Sequence, residues 1–117
     1  MLLKATLIGH VGADPETVFM DDGTQKTQFN VATSKGSGDK KETTWVRVVS
    51  WRKLAELTER YVRKGMLVYV TGNLSASPWL GKDGQARVTV EVNADEVKFL
   101  SRVENDEASD DDQGPLF

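Results

Sequence analysis

The chain has 117 residues and a mass of 12.9 kDa, room for one domain of ordinary size but not for two. It contains no Cys and a single His, which excludes a disulfide framework, a thiolate metal site, a Cys nucleophile and an all-His metal site. The net charge of −3 divides unevenly: residues 1–103 hold all 15 basic residues against 12 acidic ones, a charge of +3, whereas residues 104–117 hold six acids and no base, a charge of −6. A mildly basic body therefore carries an acidic tail, and the low overall pI of about 5.1 does not argue against a nucleic-acid partner for the body. No apolar run approaches the ~20 residues of a membrane span. The first residues, MLLKATLIGH, lack the basic region and cleavage pattern of a leader, so a soluble, cytoplasmic protein is expected.

In chain order, residues 3–8 read as a first strand, followed by a turn over 9–15. Asp22-Gly23 is a turn signal. Residues 27–33 alternate, with Thr27, Phe29, Val31 and Thr33 on one face and Gln28 and Asn30 on the other. Residues 34–42 (SKGSGDKKE) form a polar loop. A third strand covers 43–51. A helix is predicted over 53–64, with Leu54, Leu57 and Tyr61 on one face and Gly65 as its stop. A fourth strand covers 67–74, Asp83-Gly84 marks a turn, and a fifth strand covers 87–92 with Val88, Val90 and Val92 facing inward and Arg87, Thr89 and Glu91 outward. A single helix between the third and fourth of five strands fits an all-β, five-stranded Greek-key barrel of the OB type. Another small α+β sheet has the same element order.

The tail, 104–117, has almost nothing to bury before its last residues and is expected to be disordered. It ends Asp110, Asp111, Asp112, Gln113, Gly114, Pro115, Leu116, Phe117. Two readings of it stand: a solvating string, or a docking peptide whose Leu and Phe fill a partner's pocket while acids and carboxylate meet basic groups.

Little here could do catalysis. His10 follows a strand with no nucleophile motif around it. Gly36-Ser37-Gly38 lacks the following Lys and helix of a phosphate loop. Asp14, Asp21 and Asp22 lie in turns, where Asp is common, and Asp110 to Asp112 lack fixed geometry for a cation. No enzyme activity, metal or cofactor is expected.

Binding residues carry more. On the third strand Trp45, Arg47, Val49 and Trp51 share one face, and Val46 and Val48 the other. If the valines form the core, two Trp rings flank an Arg on the open face, beside Arg52 and Lys53. Unpaired bases call for that chemistry, flat rings for their π-faces and cations for their phosphates. The alternative puts both rings in the core. Trp79, near the Asp83-Gly84 turn, has little core to join. Lys35, Lys40 and Lys41 either close over the strand or are simply solvated.

Several stretches in this order resemble the bacterial single-stranded DNA-binding protein family over nearly the whole chain: IGHVGADPE (8–16), FNVATS (29–34), TWVRVV (44–49), KLAE (53–56), YVRKG (61–65), VYVTG (68–72) and the acidic end closing on Phe117. The resemblance implies an OB-fold over 1–103 that assembles as a homotetramer, binds single-stranded DNA and sits with the bacterial nucleoid. It implies that Trp45, Trp51 and Trp79 stack on bases. Arg47, Arg52, Lys53, Lys64 and Arg87 are the basic residues expected to meet the backbone. It also implies that the tail, through Asp110, Asp111, Asp112, Pro115, Leu116 and Phe117, docks onto DNA replication, repair and recombination proteins.

The chain departs from the family pattern in three places. No aromatic stands in loop 34–42, the stretch Ser75, Ala76, Ser77, Pro78 before Trp79 is not basic, and Leu116 separates Pro115 from Phe117. The first two predict a weaker grip or a shorter site per subunit. The connector to the tail is short, with at most ~50 Å of reach for 14 extended residues, so partners must approach close to the body. Attraction between +3 and −6 predicts that the tail lies on the body's basic face in the absence of DNA. A second reading is an OB-fold protein-interaction subunit of a primosome-type complex with secondary DNA contact. A cold-shock type of RNA binder would call for clustered Phe and His on neighbouring strands, which this chain lacks.

Overall fold

The computed structural model describes residues 3–36 and 38–100. The tail, with its expected docking residues 110–112 and 115–117, lies outside the described residues. Six strands, one α-helix and a short 3-10 turn follow one another: β1 (Lys4–Val11), β2 (Glu16–Phe19), β3 (Gln25–Lys35), the turn (Gly38–Lys40), β4 (Glu42–Trp51), α1 (Arg52–Tyr61), β5 (Leu67–Leu80) and β6 (Ala86–Phe99).

The strand pairings close the sheet on itself. β1 runs antiparallel to β5, β5 to β6, and β3 to β4. The two halves join where residues 47–49 of β4 lie parallel to 91–93 of β6, and again where His10 and Val11 of β1 meet Ala32 and Val31 of β3. With α1 between the third and fourth barrel strands, this is the expected OB-type Greek key. β2 is an addition to the five expected strands. It adds to the edge of β3 beside Gln25–Gln28 and leaves Val18 and Phe19 exposed, so it has no buried face to impose an alternation on the sequence.

β-branched side chains fill the core. Val11, Val31, Val46, Val48, Val62, Val68, Val70, Val92 and Val97 cluster with Phe29 and Met66. Valine fits a pleated, buried surface and has few χ1 states to lose. Glycine admits the tight strand approaches: a Cβ on Gly72 would collide with the Asn93 carbonyl, at the bulge where β5 slips register against β6.

The helix differs from expectation. It starts one residue earlier and stops at Tyr61, and it buries Ala55 and Thr58 rather than Leu57 and Tyr61. The reason is a polar seat. Ser50 Oγ lies 2.8 Å from Thr58 Oγ1 and donates to the Thr27 carbonyl at 2.9 Å, and Gln25 Nε2 donates to Glu59 at 2.9 Å. Leu54 alone of the predicted apolar stripe packs partly on the core. Beyond the helix, Gly65 (φ 91°) donates to the Val11 carbonyl and the Lys64 N–H donates to Asp14 Oδ1 at 2.9 Å. The GHVGADP turn and the helix stop are thus one joint.

β5 and β6 run further than expected, to Leu80 and to Phe99. Past Ser75 and Glu91 they pair only with each other, as an arm that extends beyond the barrel. Val88, expected to face inward, is 60% exposed, whereas Val92 on the same side is fully buried, because the barrel ends between them.

Candidate nucleic-acid interface

The outward face of β4, β6 and β5 carries the predicted aromatic side chains. Alternation along β4 puts Trp45, Arg47 and Trp51 outside and Val46 and Val48 in the core. The three Trp are 56%, 38% and 49% exposed at positions 45, 51 and 79. Val49 breaks the expected pattern: it lies on the Trp side by alternation, yet is buried, outside the main valine cluster.

Register explains how the face is assembled. Arg47 pairs with Glu91 across the parallel seam, Glu91 with Ser75 across the arm, and further out Trp79 pairs with Arg87. Cross-strand partners point to the same side, so Trp79 and Arg87 continue the surface begun by Trp45, Arg47 and Trp51.

Each ring is held at an edge or from below. Trp51 donates its indole N–H to Asn93 Oδ1 at 3.0 Å, and Lys26 Nζ stands 5.7 Å from its ring centre. Trp79 donates to Thr89 Oγ1 at 3.0 Å. Trp45 lies over Gly12, where an added Cβ would come within 2.6 Å of the ring. These contacts use ring edges and leave π-faces accessible. Sequence reading missed Gly12, Lys26, Thr89 and Asn93. Only Gly12 had a signal, as a glycine inside a quoted motif. The other three are recruited by strand register, which is not written locally.

The cations are spread rather than gathered. Arg47 lies 3.8 Å from Glu91, and Arg87 forms a 2.7 Å pair with Asp83 in the arm's turn, so acids already engage these two. Arg52 sits at the strand-to-helix joint with φ 58°, a left-handed conformation that costs a side-chain-bearing residue about 1–2 kcal/mol. It turns the chain sharply, setting Trp51 on the sheet and Lys53 on the first helical turn. Lys64 stands at the joint with Asp14, two residues from the glycine beneath Trp45. Among the described residues no group of three or more His, Cys, Asp or Glu could hold a metal ion.

This fold and face have known counterparts. The model of the single-strand binding protein family matches residues 2–100. Single-stranded DNA-binding protein 1 of Xylella fastidiosa is 40% identical over 107 residues, covering 86% of this chain and 79% of that protein. The single-stranded DNA-binding protein of Neisseria meningitidis serogroup B is 38% identical over 104 residues, 85% of this chain but 60% of the relative's length. Among solved structures, the SSB of Plasmodium falciparum in complex with ssDNA superposes with a TM-score of 0.72 at 30% identity, covering 86% of this chain and 96% of the other. The chain belongs to the single-strand binding protein family.

Proposed function

We propose that this protein binds and protects single-stranded DNA with little regard to sequence, as a homotetramer, and recruits replication, repair and recombination proteins through its acidic tail. The observation that carries the reading is the placement of three half-exposed Trp rings on one continuous sheet face with cations between and beside them. Every base has a π-face, so stacking is blind to sequence. In single-strand binders of this class it is worth about 1–3 kcal/mol per base. Arg47, Arg52, Lys53, Lys64 and Arg87 supply charge for phosphates and release counterions on binding. Two of them are shared with acids, which lowers the electrostatic part of the affinity. The known relatives are named for single-stranded DNA binding, and the Plasmodium structure holds such a strand by its title. The tail offers acids, Leu116 and Phe117 as an anchor for a basic-rimmed apolar pocket.

Intrinsic Trp fluorescence tests this. Titration with an oligo-dT at low and high salt should quench strongly and persist in part at high salt, while a duplex of equal length should quench little. Weak quenching, or equal response to both, would overturn base stacking and leave the protein-interaction subunit as the better account.

A further inference from the structure

The helix presents a surface that neither the core nor the Trp face uses. Lys53, Glu56, Leu57, Arg60 and Tyr61 line an open groove of about 340 Å³ on the outer side of α1. Its floor is apolar, with Leu57 38% and Tyr61 48% exposed. Its surroundings are basic: Arg52, Lys53, Arg60, Arg63 and Lys64 stand against only Glu56 and Glu59 within residues 52–64. Glu59 already accepts from Gln25, and Arg60 lies 5.9 Å from the Tyr61 ring centre. Among the described residues, none of these five cations takes part in an ion pair.

The chain leaves the barrel beside this groove. The Phe99 ring lies 5.9 Å from the Tyr61 ring, and the Leu100 N–H donates to the Leu67 carbonyl, so the last described residues end against the C-terminal end of α1. Seventeen residues follow, and their reach of up to ~56 Å when extended far exceeds the ~15 Å length of a ten-residue helix. They end in three consecutive Asp, then Pro115, Leu116 and Phe117 with its carboxylate.

We infer that the tip of the tail, residues 110–117, docks in cis in the α1 groove, Leu116 and Phe117 against Leu57 and Tyr61, the acids and carboxylate against Lys53, Arg60 and their basic neighbours. Charge is complementary, both sides have an apolar centre, and a tether this short keeps the tip at about millimolar effective concentration, so a weak contact suffices. The groove shares only Lys53 with the residues assigned to DNA, so the dock stands apart from the Trp face. It holds the tip against the domain until a partner with a better pocket takes it. The role of the tail comes from the function proposed above. The test below uses neither DNA nor a partner, so its failure would leave base stacking untouched.

Because the sequence has no Cys, a Ser109→Cys variant of the full chain accepts one nitroxide spin label in the tail. Amide signals of residues 53–61 should lose most of their intensity in the labelled protein and regain it on reduction of the label. The surface variant Leu57→Glu with Arg60→Glu should abolish that loss while leaving the thermal midpoint unchanged, and high salt should diminish it. Broadening centred on Trp45, Trp51 and Trp79 would overturn the proposal, since the tip would then lie on the base-stacking face. Uniform weak broadening would overturn it as well. So would broadening of isotope-labelled, spin-free copies mixed with spin-labelled ones, which would place the tip on a second copy.

Discussion

The barrel and the arm are built from the same two strands, yet they obey different constraints. Up to Leu74 and Val92, β5 and β6 lie in a closed sheet with a valine core behind them. Beyond, the same pairing continues as a two-stranded ribbon with both faces in solvent, and such ribbons are marginal by themselves. Its inner side, Ala76, Pro78, Leu80, Ala86, Val88 and Val90, continues the apolar face of the core past the point where the core ends. Trp45 and Trp51 are mounted on the barrel, while Trp79 is mounted on the ribbon. A stacking surface made this way has a fixed part and an adjustable part, and the arm can follow the path of a ligand that the barrel only anchors.

The sharpest way to break this comparison is to remove the same methyl groups on each side of the boundary. Val92→Ala should lower unfolding free energy by about 2 kcal/mol in urea denaturation through the cavity it leaves. Val88→Ala, four residues away on the same face, should stay within about 0.5 kcal/mol of the parent. Equal losses would mean that the arm is packed as tightly as the barrel.

For the rings, Trp45→Ala should weaken oligo-dT binding by about 1–3 kcal/mol in anisotropy titrations, and Trp79→Ala by an amount nearer the lower bound, because an adjustable arm re-seats. A larger loss at Trp79 would reverse the assignment of fixed and adjustable parts. Gly12→Ala sharpens the fixed part. The new Cβ must displace the Trp45 ring, so affinity should fall by about 1 kcal/mol, within the value of one stacked base, with the salt dependence unchanged.

The smallest effect concerns charge on the arm. Asp83→Ala frees Arg87 from its 2.7 Å pair. Stability should hardly move, since exposed pairs contribute about 0–1 kcal/mol. The slope of log affinity against log salt should steepen by about 0.7, the increment for one more phosphate contact on a single strand. An unchanged slope would mean that Arg87 does not reach a phosphate.

Much of this was legible in the chain itself. Alternation over 27–33 reads correctly: Thr27, Phe29 and Val31 are buried. So does the open face of β4, because Val46 and Val48 are strong inward signals and Arg47 is an outward one. The helix was placed correctly but its buried face was not, since Thr58 and Ser50 make a polar seat that no hydrophobic period announces. Val88 was misread for a related reason: a period of two tells which side a residue takes, not whether anything stands on that side. The partners of the rings, Asn93 for Trp51 and Thr89 for Trp79, depend on register between strands and could not be read from either strand alone.

One feature of the closure bears on how the molecule responds to a ligand. β4 and β6 meet over only three residue pairs, and the Arg47–Glu91 and Trp51–Asn93 contacts cross that same seam on the outside. A strand of DNA laid across the face as proposed would act as a suture over the shortest join in the barrel. Occupancy and folding would then be one equilibrium, with the seam's amides exchanging with solvent most slowly when the strand is bound.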